Sequence, residues 1–284
     1  MVSGDALRRA ISSQKAEIAA RIRKAQGGVP TYFDAFLCNF LDQLASTDPE
    51  ELSANARTRY LAELQWFENY LENSKAGRLV SYARRRQQDD SGGQSGIRSP
   101  ERMMSQGTAE CLKWKGQALF KTVFDFAIFP MLIWELRPGA VFEIGSGTGA
   151  SACWIRDMLN TAGLDSQVFS VDVQPIAEQC AGVTFVVGDC ASPASLFSPG
   201  LLRSAPRPLL VIEDAHVNVR NVLLYLDGFL EKGDYLFVED SVNKGDDLDA
   251  FLTERPGRYA IDTRYTDFFG RNATSAINSI FVRI

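Results

Sequence analysis

The sequence predicts an α/β fold, in which a doubly wound and mostly parallel sheet follows an N-terminal helical extension. Three observations lead to this prediction. After Pro138, short apolar runs alternate with stretches long enough for a helix, which is typical of parallel strands covered on both faces. Polar residues follow the ends of five of these runs, where sheets of this kind bind ligands. Before this region, the stretch from Thr31 to about Arg86 instead shows helical spacing of apolar side chains.

The composition excludes several classes of protein. The chain has 284 residues and a net charge of −5, so we expect no nucleic-acid partner, and the one dense basic run, Arg84 to Arg86, is interpreted as a solvated helix end. Five cysteines without a CxxC motif predict neither a disulfide framework nor a zinc knuckle. The longest apolar stretch, FDFAIFPMLIW, is too short to span a bilayer. We therefore expect a cytoplasmic protein without a membrane partner.

The N-terminal region is predicted to be helical from Thr31 to about Arg86. Apolar residues recur at helical spacing from Phe33 to Leu44, and again from Leu61 to Leu71. Asp48 and Pro49 predict the start of the second of these helices, and Gly77 predicts its end. We assign residues 1–105 to a helical extension or cap with a polar loop at 87–101, and residues 106–284 to the ligand-binding domain. The aromatic stripe predicts a packed core or a homo-oligomer surface rather than a substrate lid, and we expect the N-terminal region to carry substrate selectivity.

The ligand-binding domain is predicted to begin with a helix from Cys111 to Leu136, interrupted at Pro130. Seven apolar runs follow, and the last two are close enough in sequence to form an antiparallel pair. The runs are AVFEIGS, VFSVDV, VTFVVGD, PLLVIED, DYLFVED, RYAIDTRY and INSIFVRI. The polar groups that follow the first five are Gly145 to Gly149, Asp172, Asp189, Glu213 to His216, and Glu239 with Asp240.

The glycine-rich segment EIGSGTGAS, after the first strand, is the first candidate binding element. Glycines let the backbone approach a ligand closely, and the following helix offers free N–H groups. The spacing is GxGxG rather than the dinucleotide pattern GxGxxG, and Glu143 suits an amino group better than a pyrophosphate. Asp172 could accept ribose hydroxyls and Asp189 an adenine amino group. These groups together describe S-adenosylmethionine (SAM), whereas the loop alone could also be a turn without a ligand.

From residue 110 onward the chain resembles the class I SAM-dependent methyltransferases, through the segments FEIGSGTGAS, SVDV and VVGDCAS. The resemblance implies a Rossmann-like methyltransferase fold with a seven-stranded sheet and an antiparallel last strand. It also implies a SAM site in which Asp172 holds the ribose and Glu143 lies at the methionine end. The cofactor-binding residues implied are Glu143, Gly145, Ser146, Gly147, Asp172, Val173, Asp189 and Cys190.

Two acidic pairs follow the fourth and fifth strands, and His216, the single histidine, follows the first of them. Because the ends of adjacent parallel strands meet, four carboxylates should converge and repel each other unless a cation or protons intervene, and Mg²⁺ is a suitable cation. The alternative is that an acid of each pair caps a helix or pairs with Arg220 or Lys244. A histidine beside a bound cation could accept the proton of an acceptor hydroxyl.

The acid spacing is similar to that of metal-dependent natural-product O-methyltransferases, including the macrolide-sugar type, and of the cephalosporin hydroxylase-like family. This resemblance implies Glu213, Glu239 and Asp240 as metal ligands and His216 as the base. The first ligand is usually Asp in that family, so Asp214 is the alternative ligand, and it is counted with His216 among the catalytic candidates. Ala215 stands where some relatives have the base.

The sequence therefore predicts a SAM-dependent methyltransferase that methylates a hydroxyl of a small sugar-like or natural-product acceptor with help from Mg²⁺. Three alternatives remain open at this stage. One is a metal-independent N-, C- or carboxyl-methyltransferase, and another is a non-catalytic SAM-binding module. A nicotinamide-dependent oxidoreductase is disfavoured by the glycine spacing. Trp114, Lys115 and Gln117 are further candidates for the substrate or SAM side.

Overall fold

The computed structural model describes residues 3–24, 31–74, 77–88, 95–177 and 180–284. The chain forms two compact units, Met1–Lys75 and Ala76–Ile284. The described residues of the first unit form three helices, α1 (Gly4–Lys24), α2 (Tyr32–Ala45) and α3 (Ala54–Ser74). Helix α1 was not predicted. It buries Leu7, Ile11 and Ile18 against α2 residues such as Leu37, so the first unit has a core of its own.

The ends of α2 and α3 follow from local hydrogen bonds. Thr31 and Asp34 form a capping box at the start of α2, because each side chain accepts the other's backbone N–H at 3.1 Å. The predicted helix start at Asp48 is wrong. The Asp48 carboxylate instead accepts the N–H of Glu50 in a turn, and α3 begins six residues after Asp48, at Ala54.

Where the structure describes it, the second unit contains a central sheet of eight strands, one more than predicted. The strands are β1 (Leu79–Val80), β4 (Ala140–Ile144), β5 (Gln167–Asp172), β6 (Val183–Val187), β7 (Leu209–Glu213), β8 (Tyr235–Val238), β9 (Tyr259–Asp262) and β10 (Ile280–Arg283). Their order in the sheet is β1-β9-β10-β8-β7-β4-β5-β6, in which β4 to β8 are parallel and β10 is antiparallel to both neighbours. The additional strand is β1, which pairs with β9 at the edge. The predicted doubly wound α/β fold with an antiparallel last strand is confirmed.

Helices cover both faces of this sheet, which explains its continuous apolar strands. Along β7, Leu209 and Val211 enter the core on one face, and Leu210 and Ile212 enter the core on the other. The helices of the second unit are α4 (Tyr82–Gln88), α5 (Ser99–Met104), α6 (Val123–Leu136), α7 (Ala150–Thr161), α8 (Pro199–Ser204), α9 (Val219–Asp227), α10 (Gly245–Glu254) and α11 (Thr263–Thr266). In the part of the chain that the structure describes, no helix is long and apolar enough to cross a bilayer.

The segment before the sheet differs from the predicted broken helix. Residues 113–118 form a hairpin of β2 (Lys113–Trp114) and β3 (Gln117–Ala118), whose turn places Lys115 and Gly116 at positive φ. Helix α6 then continues through Pro130 without interruption. Pro130 lies on the exposed side, while Phe129 and Ile133 are buried, so packing outweighs the lost backbone hydrogen bond.

Residues 77–105 belong to the second unit, so the predicted domain boundary at 105 falls inside it. The polar loop predicted at 87–101 lies partly outside the described residues. Its final part is attached to the sheet domain, because the N–H of Gly96 donates to the carbonyl of Arg271 at 2.6 Å. Helix α5 then begins at Ser99. The basic run is also only partly solvated, since Arg84 is exposed but Arg85 is buried at 1% exposure.

Candidate active site

A cavity of about 380 Å³ lies over the carboxyl ends of strands β4, β5, β6 and β7. Ten of the thirteen site residues predicted from the sequence line it. They are Gly145, Ser146, Gly147, Asp172, Val173, Asp189, Cys190, Asp214, His216 and Asp240. The other three, Glu143, Glu213 and Glu239, are buried and do not line the cavity. Their partners, described below, explain why.

The glycine loop between β4 and α7 forms one wall of the cavity. Gly145 has φ +98°, and a Cβ there would lie 2.8 Å from the backbone carbonyl of Asp214, so only glycine fits. Gly147 also has positive φ, but the space beside its Cα is open. Gly149, again at positive φ, is the N-cap residue of α7. The loop therefore lets a ligand approach the backbone at Gly147.

Asp172, at the end of β5, is held beside this loop. Its two carboxylate oxygens accept the backbone N–H groups of Gly147 at 3.0 Å and Gln174 at 3.1 Å. The carboxylate keeps lone pairs for a ligand, because each oxygen can accept more than one hydrogen bond. A ribose hydroxyl that donates to Asp172 would therefore lie next to the open backbone of Gly147.

The wall beyond β5 combines apolar and polar surface. Val173 is 56% exposed. The side chain of Asp189 is exposed and accepts the N–H of Ala191 at 2.8 Å. Cys190 is buried, and burial together with the nearby Glu213 and Asp189 charges raises the pKa of its thiol to about 11. The thiol is therefore neutral at pH 7, and this wall suits a planar, weakly polar group.

Glu143 supports the glycine loop from beneath. It accepts hydrogen bonds from the hydroxyls of Ser151, on the first turn of α7, and Ser170, on β5. Burial raises the pKa of Glu143, although Lys121 and the two serines act in the opposite direction. Because Ser151 lines the cavity, Glu143 reaches the predicted methionine end through a serine rather than by direct exposure.

The acidic pairs do converge, but each contributes one residue to the cavity and one to the interior. Glu213 is buried and forms an ion pair with Lys244, with its Oε2 2.8 Å from Nζ. Glu239 is buried and lies 2.6 Å from Nζ of Lys121. Pairing of Glu213 with Lys244 was the sequence-based alternative to metal binding. The expectation that Glu213 and Glu239 face the cavity is therefore not met, and the residues facing it are Asp214 and Asp240.

Asp214, His216 and Asp240 form a compact group at the cavity wall. Their potential ligand atoms all lie within 4.8 Å of one another. His216 Nε2 is 3.5 Å from Asp214 Oδ1 and 3.6 Å from Asp240 Oδ2. Oxygen and imidazole ligands at this spacing fit a divalent cation, and two carboxylates leave room for water or substrate oxygens around Mg²⁺.

The pKa values of the carboxyl groups in and beside this group are strongly shifted. Burial opposes ionisation of Asp214, but Lys121, the hydrogen bond from His216 and Lys244 outweigh it and lower the pKa of Asp214 to about 2. Burial and the Asp214 charge raise the pKa of Asp240, and the same two causes raise the pKa of Glu239 well above its usual value. A bound cation would relieve this repulsion between carboxylates.

The backbone around this group is held in an uncommon conformation. His216, Asn218 and Asp240 all have left-handed φ values, of 57°, 52° and 46°. Such conformations cost non-glycine residues about 1 kcal/mol or more each and persist only when the surroundings fix them. Here the Asn218 side chain, which follows β7, donates to the carbonyl of Cys190, which follows β6, at 2.7 Å. This hydrogen bond connects the ends of the two strands.

Lys121 is a site residue that the sequence analysis missed. It lines the cavity, it is 2% exposed, and it contacts both Asp214 and Glu239. The usable signal was Thr122 with Asp125, a helix N-cap that places Lys121 just outside α6. The predicted candidates Trp114 and Lys115 do not line the cavity, because both bind Asp157 of α7, and Gln117 lies opposite Trp114 in the hairpin.

The chain matches known proteins over the region that carries this site. The family model described as rhamnosyl O-methyltransferase/CmcI matches residues 106–259. A rhamnosyl O-methyltransferase of Mycobacterium leprae is 29% identical over 191 residues, which cover 60% of this chain and 82% of that protein. The corresponding Mycobacterium tuberculosis H37Rv protein is 28% identical and covers 60% and 77%.

Solved structures of CmcI are also similar. A CmcI structure whose title names Mg and SAM aligns with a TM-score of 0.52 and 28% identity, and covers 61% of this chain and 76% of that one. A CmcI structure with SAH in its title aligns with a TM-score of 0.51 and 28% identity, and covers 62% and 84%. These alignments agree with the Rossmann-like methyltransferase fold predicted from the sequence.

Proposed function

The chain belongs to the rhamnosyl O-methyltransferase/CmcI family, and on that basis we propose that it transfers the methyl group of SAM to a hydroxyl of a sugar-like small molecule with help from Mg²⁺. The observation that carries this proposal is the meeting of Asp214, His216 and Asp240 at the wall of the cavity that contains the glycine loop. The relatives named above act on rhamnosyl groups or carry Mg and SAM in their titles. The acceptor is therefore proposed as a glycosyl hydroxyl.

The cavity residues divide between the two substrates. Gly145, Ser146 and Gly147 would hold the amino-acid part of SAM, Asp172 its ribose, and Val173, Asp189 and Cys190 its adenine. Glu143 would act on the amino-acid part through Ser151. The residues on the acceptor side are Asp214, His216 and Asp240, which reach the cavity from the ends of the neighbouring strands β7 and β8.

Asp214 and Asp240 would hold Mg²⁺, whereas the sequence analysis favoured Glu213, Glu239 and Asp240. The change rests on the ion pairs of Glu213 and Glu239 with buried lysines. When bound, Mg²⁺ would lower the pKa of an acceptor hydroxyl. His216 is 43% exposed and lies between the two aspartates, so its imidazole is placed to accept the hydroxyl proton while they orient it.

Methyl transfer from radiolabelled SAM to a panel of rhamnosides and other hydroxylated sugars tests the proposal. We expect transfer that EDTA abolishes and Mg²⁺ restores. The variant His216→Ala should lower kcat by about 10²- to 10⁴-fold, since a general base contributes that much. Its affinity for S-adenosylhomocysteine (SAH), measured by calorimetry, should stay unchanged. Undiminished turnover in EDTA would instead support the metal-independent alternative, and full activity of the variant would remove His216 as the base.

A further inference from the structure

Lys121 places an ammonium group inside the acidic cluster of the site. Its Nζ lies 2.6 Å from Glu239 Oε1 and 3.0 Å from Asp214 Oδ2, and the side chain is 1% exposed. The ammonium also lies 5.9 Å from the ring centroid of Phe129. An ammonium buried to this degree is stable only while it keeps its carboxylate partners, so these ion pairs are a fixed part of the fold.

The charges in the cluster balance around one divalent cation. When all four carboxyl groups are ionised, as with a bound cation, Glu213, Asp214, Glu239 and Asp240 contribute four negative charges, and Lys121 and Lys244 contribute two positive charges. The remaining charge of −2 equals what one Mg²⁺ neutralises. Lys244 neutralises Glu213 and Lys121 neutralises Glu239, so the unbalanced charge remains on the two aspartates.

The two oxygens of Asp214 point to different neighbours. Its Oδ2 lies 3.0 Å from Lys121 Nζ, while its Oδ1 lies 3.5 Å from His216 Nε2 in the group that also contains Asp240. We propose that Lys121 is a built-in cation that occupies Glu239 and one oxygen of Asp214, so that a divalent cation reaches only Asp214 Oδ1 and Asp240. This inference rests on the proposed function, which supplies the metal. In it Lys121 is a positioning residue that sets the affinity of the site for the metal.

Binding of Mn²⁺, followed by electron paramagnetic resonance of the free ion, tests this role in the full chain without an activity assay. Lys121→Met removes the competing charge, and we expect it to bind Mn²⁺ at least about tenfold more tightly than the wild type. Lys121→Arg keeps the charge and should bind about as weakly as the wild type. Thermal unfolding of each metal-free variant shows whether it is folded.

A charge-balanced double variant separates this role from direct ligation by Glu239. Lys121→Met with Glu239→Gln removes both members of the ion pair and leaves the net charge unchanged. If Glu239 is not a ligand, the double variant should bind Mn²⁺ within about threefold of the wild type. A loss of more than tenfold would show that Glu239 is a ligand and would overturn the inference. In the double variant only the partly exposed Asp214 loses the Lys121 ammonium, so this variant serves even if Lys121→Met fails to fold.

The Mn²⁺ binding experiment distinguishes failure of the Lys121 proposal from failure of the proposed function. If the wild type binds Mn²⁺ and Lys121→Met binds it no more tightly, the role of Lys121 is wrong and the proposed metal-assisted reaction stands. If neither the wild type nor any variant binds Mn²⁺, the role of Lys121 and the metal part of the proposed function both fail. Binding only by Lys121→Met would support the competition by Lys121 and contradict a metal-assisted reaction in the wild type.

Discussion

At the scale of single residues, the site depends on backbone conformations that few side chains tolerate. Gly145 combines φ +98° with a Cβ position 2.8 Å from the Asp214 carbonyl carbon, whereas Gly233 has φ +93° and open space around it. We therefore expect Gly233→Ala to lose about 1 kcal/mol of unfolding free energy from backbone strain alone. Gly145→Ala should lose about 3 kcal/mol, because the clash adds to the strain.

Urea unfolding and SAH calorimetry of the two alanine variants check this prediction. Gly145→Ala should also weaken SAH binding, since relief of the clash must move the glycine loop or the end of β7. Gly233→Ala should bind SAH as the wild type does, because Gly233 is remote from the cavity lining. Equal losses of unfolding free energy in the two variants would mean that the clash of the new Cβ with Asp214 does not destabilise Gly145→Ala.

The positions of the acidic residues show what the sequence can and cannot predict. The alternation of strands and polar ends places Asp172, Asp214 and Asp240 at one edge of the sheet, as expected. Within an adjacent acidic pair, successive side chains point in different directions, and only one of the two can face the cavity. Glu213 and Glu239 turn inward because Lys244 and Lys121 lie there. The sequence analysis kept pairing with Lys244 as an alternative, but it did not predict the role of Lys121, which comes from a distant segment.

At the scale of elements, α4 is attached to the sheet domain by a buried arginine. Arg85 donates to Asn278 Oδ1 at 2.9 Å and to Asp267 at 2.6 Å, whereas Arg86 pairs with the more exposed Asp249. We expect Arg85→Met to lose about 3–5 kcal/mol of unfolding free energy, because it leaves a largely buried carboxylate without its partner. Arg86→Met should lose less than about 1 kcal/mol.

Thermal and urea unfolding of the two arginine variants distinguish these cases. Comparable stability of the two variants would contradict an anchoring role for Arg85. The outcome bears on sequence interpretation, because the run Arg84 to Arg86 looks like a solvated helix end. Which arginine of a run is buried depends on Asn278 and Asp267, which are far away in the sequence and close only in the fold.

Helices and strands with a strong pattern of apolar residues were predicted well. Elements that depend on a few local residues were predicted poorly. The seven apolar runs correspond to seven strands of the observed sheet, because continuous burial requires continuous apolar sequence. Strand β1 has only two residues and no pattern of its own. The hairpin before α6 was predicted as helix, since its signal is only the turn at Lys115 and Gly116.

At the scale of the whole molecule, the two compact units have separate cores. The apolar core of residues 7–67 shares no member with the cores on the two faces of the sheet. The described residues that line the cavity lie between Ala118 and Asp240, in the second unit. The expectation that the N-terminal region carries acceptor selectivity and a homo-oligomer surface stays a prediction. Sedimentation velocity of the full chain and of the second unit alone would test the oligomer surface.

Two truncations test where the catalytic unit begins. Removal of residues 1–75 should leave SAH affinity within about threefold of the full chain, because the cavity and both sheet cores remain. Removal of residues 1–105, at the boundary predicted from the sequence, also removes β1, Arg78 and Arg85. Asp262, which Arg78 contacts at 2.8 Å, and Asp267 would then lose their arginine partners.

Each lost partner of a buried carboxylate should cost about 3–5 kcal/mol. At roughly 2–4 °C per kcal/mol, we expect the shorter fragment to melt at least about 10 °C below the longer one, or to fail to fold. Calorimetric melting and SAH titration of both fragments measure this difference. Equal melting temperatures would show that residues 77–105 are dispensable and would favour the boundary at 105, whereas the expected loss places the start of the catalytic unit close to residue 76.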